Sequence, residues 1–229
     1  MFNLEKLISY IKGENSYKID SNYSSYEILI SLYARGIQVV RGSIYRMLGL
    51  KVSGLFFRGN SVKIKYWKKF KSGRNLILGD FCYINALSEH GMSFGENVTI
   101  ERNGLIIGTG VISRKGVGLK IGNNTGINSI VYLGCQGGIS IGNNVIIGPG
   151  VQIHSENHLF NGEELIKNQG EIRKQVIIED DCWIGAGAII LAGVHLKSKT
   201  VVAAGSVVTK SFDSNKLIGG IPAQIIKSI

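Results

Sequence analysis

Residues 178–208 read IEDDCWIGAGAIILAGVHLKSKTVVAAGSVV, and an aliphatic residue returns at every sixth position: Ile178, Ile184, Ile190, Leu196, Val202 and Val208. Four residues after each of the first five stands a small or β-branched one, Cys182, Ala188, Val194, Thr200 and Ser206. A helix would repeat at about 3.6 residues and a half-buried strand at about 2. A six-residue period instead predicts a hexapeptide β-helix, in which each six residues make one short side of a triangular coil. The aliphatic residue points to the axis, and the small one fits where the coil narrows.

The ladder continues upstream at Ile121, Ile127 and Leu133, and at Ile141, Ile147 and Ile153. Weaker rungs stand at Leu78 and Ile84, and at Phe94, Ile100 and Ile106. Gly follows many of them (Gly79, Gly95, Gly122, Gly134, Gly142, Gly148, Gly185), so the 31 glycines beside 2 prolines are read as corner chemistry. The coils are expected to begin near Leu76. One long interruption, His154–Gln175, is polar, mixed in charge and off period. A long extrusion from a regular scaffold is usually functional. After Val208 the chain leaves the repeat and ends GGIPAQIIK (219–227), which reads as a cap over the last open coil. The expected organisation is a basic helical region at 1–75, a β-helix domain at 76–211 with its extruded loop at 154–177, and a cap at 212–229.

Charge is divided along the same line. Residues 1–75 hold 14 Lys+Arg and 4 Asp+Glu, the rest of the chain 12 and 12, so the net +10 belongs to the N-terminal segment. A neutral repeat domain argues against a nucleic-acid-binding core. Residues 3–12 read as a short amphipathic helix with Leu4, Leu7, Ile8 and Ile11 on one side. A polar linker, Gly13–Asn22, follows, and Ser24 to Glu27 has capping-box spacing for a second helix running to about Leu48. That helix either packs on the coil or on another subunit, or lies at a membrane interface with Arg and Lys at lipid headgroups. The basic run Lys63, Lys65, Lys68, Lys69, Lys71 and Arg74, with Tyr66 and Trp67 between, reads either as a sign of an anionic surface nearby or as a solvated strand edge protected by lysine. Cys82 and Cys182 fall at small positions of the repeat, so packing accounts for them better than disulfide or metal chemistry. Together with the lack of a signal-peptide pattern, this fits a cytoplasmic protein, with a peripheral station at the inner face of the membrane as the extension of the interfacial reading.

Four blocks, GPGVQIHSENH (148–158), CWIGAGAIILAGV (182–194), AAGSVVTK (203–210) and GGIPAQIIK (219–227), resemble in order and spacing the hexapeptide-repeat acyltransferases. The likeness is to the branch of maltose, galactoside and capsule or lipopolysaccharide sugar O-acetyltransferases, and it covers roughly Ile121 to the C-terminus. It implies an all-β, left-handed parallel β-helix assembled as a homotrimer, with active sites between subunits and acetyl-CoA as co-substrate, no metal being expected. His158 falls on the catalytic histidine, a general base that takes the proton of a sugar hydroxyl. The Ala186 amide matches an oxyanion donor, and Asn128 stands where relatives place a polar residue in the acceptor groove. Trp183, Gly185, Ala186, Ala204, Thr209, Lys210 and Lys227 match positions lining the coenzyme A channel. Gln224 departs from the pattern, which carries Arg there, and leaves Lys216 or Lys227 to meet a phosphate.

Of the other histidines, His154 aligns with a non-catalytic aromatic, His195 ends a coil and is expected to face solvent, and His90 receives no role. The expected partner is a sugar or glycan, free or lipid-linked. The competing functions are acetylation of another small acceptor, such as an amino sugar or antibiotic, and a non-catalytic β-helix that binds or assembles. A γ-class carbonic anhydrase on the same coil lacks a third histidine ligand beside His154 and His158.

Overall fold

In the computed structural model, which describes residues 4–13 and 17–229, the chain winds from Lys51 onward as a three-sided parallel coil. Three sheets, the sides of the prism, each take every third strand in sequence order once the extruded hairpin and the two C-terminal strands are set aside. Rung stacks on rung: Ile121, Ile141 and Ile178 pair in register on the first side, Ile127, Ile147 and Ile184 on the second, Leu133, Ile153 and Ile190 on the third. All seventeen rungs named from the sequence are at most 4 % exposed. The small positions Cys182, Ala188, Val194, Thr200 and Ser206 are as deeply buried. Where they are polar, the corner satisfies them: Thr200 Oγ1 donates to Lys197 O at 2.6 Å and Ser206 Oγ to Ala203 O at 2.7 Å. Burial pushes the Cys82 and Cys182 thiols up to about 11, so they act as small apolar groups. This three-sheet coil fits the left-handed β-helix that the resemblance implies.

The corners differ from one another. Between the first and second sides an asparagine ladder, Asn75, Asn97, Asn124 and Asn144, holds left-handed φ values of 54–57°. Its side chains hydrogen-bond one to the next at 2.8, 2.9 and 3.3 Å. Asn tolerates this conformation better than other residues bearing a Cβ. At the corner between the third and first sides the rung interval is irregular: 8 residues from Ile64 to Ser72, 10 from Ile84 to Phe94, 15 from Ile106 to Ile121, 8 from Leu133 to Ile141 and 25 from Ile153 to Ile178. Across the other two corners the rungs keep the step of six. All extra chain therefore projects from one edge. There the extrusions bond to each other, Lys69 Nζ to Glu89 O at 3.2 Å and Val117 N to Gln136 O at 3.1 Å among them.

The coil begins earlier than Leu76. Lys51–Val52, Phe56–Arg58 and Lys63–Lys65 pair in parallel with the following turn, so the helical region ends near Met47 and the boundaries expected at 75 and 76 fall inside the coil. The period is hidden there because Arg58 and Ser72 occupy rung positions, paired with Leu78 and Phe94, and the step from Ile64 to Ser72 is too long. Arg58 is accommodated because it sits at the open end. Its Nη2 donates to Val62 O at 2.6 Å and to Tyr45 Oη at 3.2 Å, and its guanidinium lies 4.3 Å from the Tyr45 ring.

Two helices dress this end, α1 (Leu4–Lys12) and α2 (Ser25–Met47). The capping box is present: Ser24 Oγ accepts from Glu27 N and the Glu27 carboxylate from Ser24 N. Residue 3 of the expected first helix, and 14–16 of the linker, lie outside the described residues. Gly42 is the buried residue of α2, and a Cβ there would lie 1.9 Å from Phe56 O, so the glycine lets the helix sit directly on the first coil. The carbonyls of Ile11 and Lys12 at the end of α1 accept from the Asn75 and Asn97 amides. At the other end Lys216–Gly220 continues the second side, Ala223–Ser228 returns antiparallel to it, and Phe212, Ile218 and Ala223 are buried over the last coil.

Candidate active site

The extrusion is a braced hairpin. Glu156–His158 pairs antiparallel with Glu171–Arg173, with His158 opposite Glu171. Arg173, its side chain only 8 % exposed, places Nε 2.5 Å from Glu156 Oε2 and donates from Nη1 to Lys115 O at 2.9 Å. Arg114 Nη1 reaches back to Glu171 O at 2.9 Å. The irregular segment before Gly116 thus clamps the hairpin from two coils back. Sequence reading missed Arg114 and Lys115, whose only signal was the 15-residue gap between Ile106 and Ile121. At the root, Ser155 Oγ donates to Gly134 O at 2.6 Å and accepts from Gly137 N at 2.8 Å.

The two histidines of the hairpin sit in different surroundings. His154, at its base, is half-buried with its ring 5.1 Å from that of Tyr132, and burial lowers its pKa from 6.5. His158 is exposed on the hairpin strand, its imidazole open to a molecule brought against it. His195 is not simply solvent-facing, since its Nε2 lies 2.6 Å from Glu179 Oε1.

Several residues singled out from the sequence gather at the corner between the second and third sides. Asn128, Gly148, Gly185 and Ala203 stack there one coil above another, each directly after its rung. Gly150 N donates to Ser129 O, Gly187 N to Pro149 O and Gly205 N to Ala186 O, each within 2.8–2.9 Å. Asn128 and Ala186 are exposed, and the Ala186 N–H makes no hydrogen bond among the described residues. It is a free donor at a water-facing corner. Gly185 is buried, and a Cβ on it would lie 2.5 Å from Ala204 N, so its requirement for glycine comes from the next coil.

Trp183 stands on the outer face of the second side, 53 % exposed, in a row that continues through Val201 and Leu217 to Lys227. Three strand spacings, roughly 14 Å, separate the ends of that row. Thr209 and Lys210 lie apart from it, past the last rung of the third side. Lys210 Nζ donates to Gln224 Oε1 at 2.9 Å, so the residue in the usual Arg position engages this lysine.

Within one chain the candidate residues are divided between two corners. The hairpin bearing His158 leaves the corner between the third and first sides, whereas Asn128, Ala186 and Ala204 occupy the corner between the second and third.

Comparison with known proteins agrees with this architecture. Residues 175–210 match the family profile described as the hexapeptide repeat of succinyl-transferase. The galactoside O-acetyltransferase of Lactococcus lactis is 37 % identical over 91 residues, 40 % of this chain and 44 % of that protein. The galactoside O-acetyltransferase of Escherichia coli is 32 % identical over 114 residues, 50 % of this chain and 56 % of that protein. The matches thus span about half the length of these curated relatives. Among solved structures, AntD, an N-acyltransferase from Bacillus cereus in complex with dTDP and coenzyme A, superposes with a TM-score of 0.55 at 20 % identity, covering 81 % of this chain and 88 % of that one. By repeat, fold and these similarities, the chain is similar to the hexapeptide-repeat acyltransferases over its C-terminal half.

Proposed function

We propose that the protein transfers an acetyl group from acetyl-CoA to a sugar hydroxyl, with His158 as general base, in the building of a surface polysaccharide such as capsule or O-antigen. The observation that carries this reading is the histidine-bearing hairpin, held rigidly off an otherwise regular coil, together with a free amide at Ala186. A sugar hydroxyl is a poor nucleophile. A neutral imidazole takes its proton as the oxygen attacks the thioester carbonyl carbon. The developing oxyanion accepts a hydrogen bond from the Ala186 N–H. Collapse of that intermediate breaks the carbon–sulfur bond, and the leaving thiolate recovers the proton from the imidazolium. The acyl group ends as an ester on the sugar, and coenzyme A leaves as the thiol.

Trp183, Gly185 and Ala204 line the track of the pantetheine arm in this reading, and Lys227 meets the phosphates at its end. Thr209 and Lys210 border the channel from the neighbouring corner, with Gln224 holding Lys210 in place of a phosphate-binding Arg. Asn128 faces the acceptor. The separation of His158 from the Ala186 corner supports a homotrimer in which one subunit's hairpin completes its neighbour's site. A hydroxyl rather than an amine is favoured because the relatives at 32 and 37 % identity are named galactoside O-acetyltransferases.

The test is acetyl transfer from acetyl-CoA against a panel of sugars, amino sugars and glycans, with product linkage determined. His158→Ala is expected to lower kcat by a factor of about 10²–10⁴. A variant as active as the parent overturns the mechanism, and amide rather than ester products overturn the choice of acceptor.

A further inference from the structure

Between Ile28 and Asn75 the chain carries eleven Lys+Arg and no Asp or Glu. The fold concentrates this excess. Ser43, Arg46 and Met47 of α2 face Lys51, Ser53, Lys71 and Ser93 across a cleft of about 780 Å³ whose lining holds three cations and no carboxylate. Lys51 and Lys71 are direct neighbours in the parallel pairing of the first side, an arrangement that like charges disfavour. Both also line an adjoining cleft with Lys68, Lys69 and His90. No ion pair engages Lys51, Lys68 or Lys71 among the described residues.

Beside this cleft α2 presents an apolar stripe. Tyr26, Tyr33, Val40 and Met47 recur at seven-residue steps, with Leu29, Ile30 and Ile44 alongside, and all seven are exposed. The stripe points away from the coil, because Gly42 and Tyr45 form the side of the helix that meets it. Met47, 87 % exposed, belongs both to the stripe and to the cleft. No helix among the described residues is long and apolar enough to cross a membrane.

We propose that α2 lies in the surface of an anionic phospholipid bilayer, its stripe among acyl chains and a lipid phosphate seated between Arg46, Lys51 and Lys71. A second copy of this chain is the other candidate for the stripe. It would bring two surfaces devoid of carboxylates between Ile28 and Asn75 against each other, whereas anionic headgroups complement the charge. The helix then docks by two signals at once, apolar burial and charge.

The experiment is co-sedimentation of the full chain with phosphatidylcholine vesicles, pure or containing phosphatidylglycerol. Binding is expected only to the mixture, and to weaken with salt. Lys51→Gln combined with Lys71→Gln is expected to weaken it about 30-fold, the loss corresponding to two surface cations. Val40→Asp is also expected to weaken it, with the thermal midpoint and oligomeric mass of both variants unchanged. Equal binding to pure phosphatidylcholine, no binding, or full affinity in the double variant overturns the proposal. So does a Val40→Asp chain that loses mass but keeps its vesicle affinity, which assigns the stripe to a second copy. Binding of inorganic pyrophosphate without vesicle binding assigns the cleft to a soluble ligand and likewise overturns it.

Discussion

Ile130 holds a φ of 62° at a corner where the later coils place Gly150, Gly187 and Gly205. A β-branched side chain in the left-handed region costs about 1–2 kcal/mol. Ile130 is 65 % exposed, so little burial offsets that cost. Ile130→Gly is therefore expected to raise the unfolding free energy by about 1 kcal/mol, less the entropy glycine adds to the unfolded chain, read by denaturant melts. The strained residue stands two positions from Asn128, at the corner proposed to face the acceptor. Backbone strain of this kind tends to persist where function holds it. A stabilised variant with reduced transfer would place Ile130 in the acceptor groove, whereas a stabilised variant of full activity would make the strain incidental.

Among the elements, the hairpin depends on its braces. Its own strands are three residues each, too short to hold the imidazole proposed as general base in place unaided. Arg173 joins its two strands through Glu156 and ties them to the Lys115 carbonyl two coils back. Arg173→Ala is expected to accelerate amide exchange across 156–173 while leaving the rungs of the coil protected. Loss of the brace should lower kcat/KM roughly 100-fold, the effect of misplacing a reacting group by about 1 Å. Unchanged exchange in the hairpin would mean that the brace is not what orders it.

For the molecule as a whole, acid is the condition that tests the carboxylate network. The Glu179 carboxylate is held below its ordinary 4.5 by the Ser198 hydroxyl and amide and then by His195, and Asp180 below 3.8 chiefly by the Asn143 amide. A depressed carboxylate contributes stability above its unfolded value and loses it as the pH falls through the folded one. His154 follows the same sign. Burial lowers its pKa from 6.5, so its contribution is complete above that value and declines as acid drives the proton onto the unfolded chain first. The thermal midpoint is thus expected to be level above neutrality, to begin falling below pH 6.5 and to fall more steeply below 4.5. A midpoint that holds constant down to a pH of about 4 would show these groups to be uncoupled from folding.

The six-residue period by itself determined the coil from Leu76 on, the identity of its buried rungs and the place where the chain leaves it at His154. It could do so because the signal is local: each side of the prism writes its own aliphatic residue six positions from the last. Only the tertiary structure decided that the coil starts at Lys51, where Arg58 and Ser72 stand in for rungs at an end covered by α2 and Tyr45. Only there does it emerge that every irregular interval falls on one edge, that Arg114 and Arg173 lock the hairpin, and that α2 turns its apolar stripe outward. These depend on which residues meet across coils twenty or more positions apart, and on how insertions of unequal length stack. A pattern confined to neighbours along the chain carries neither.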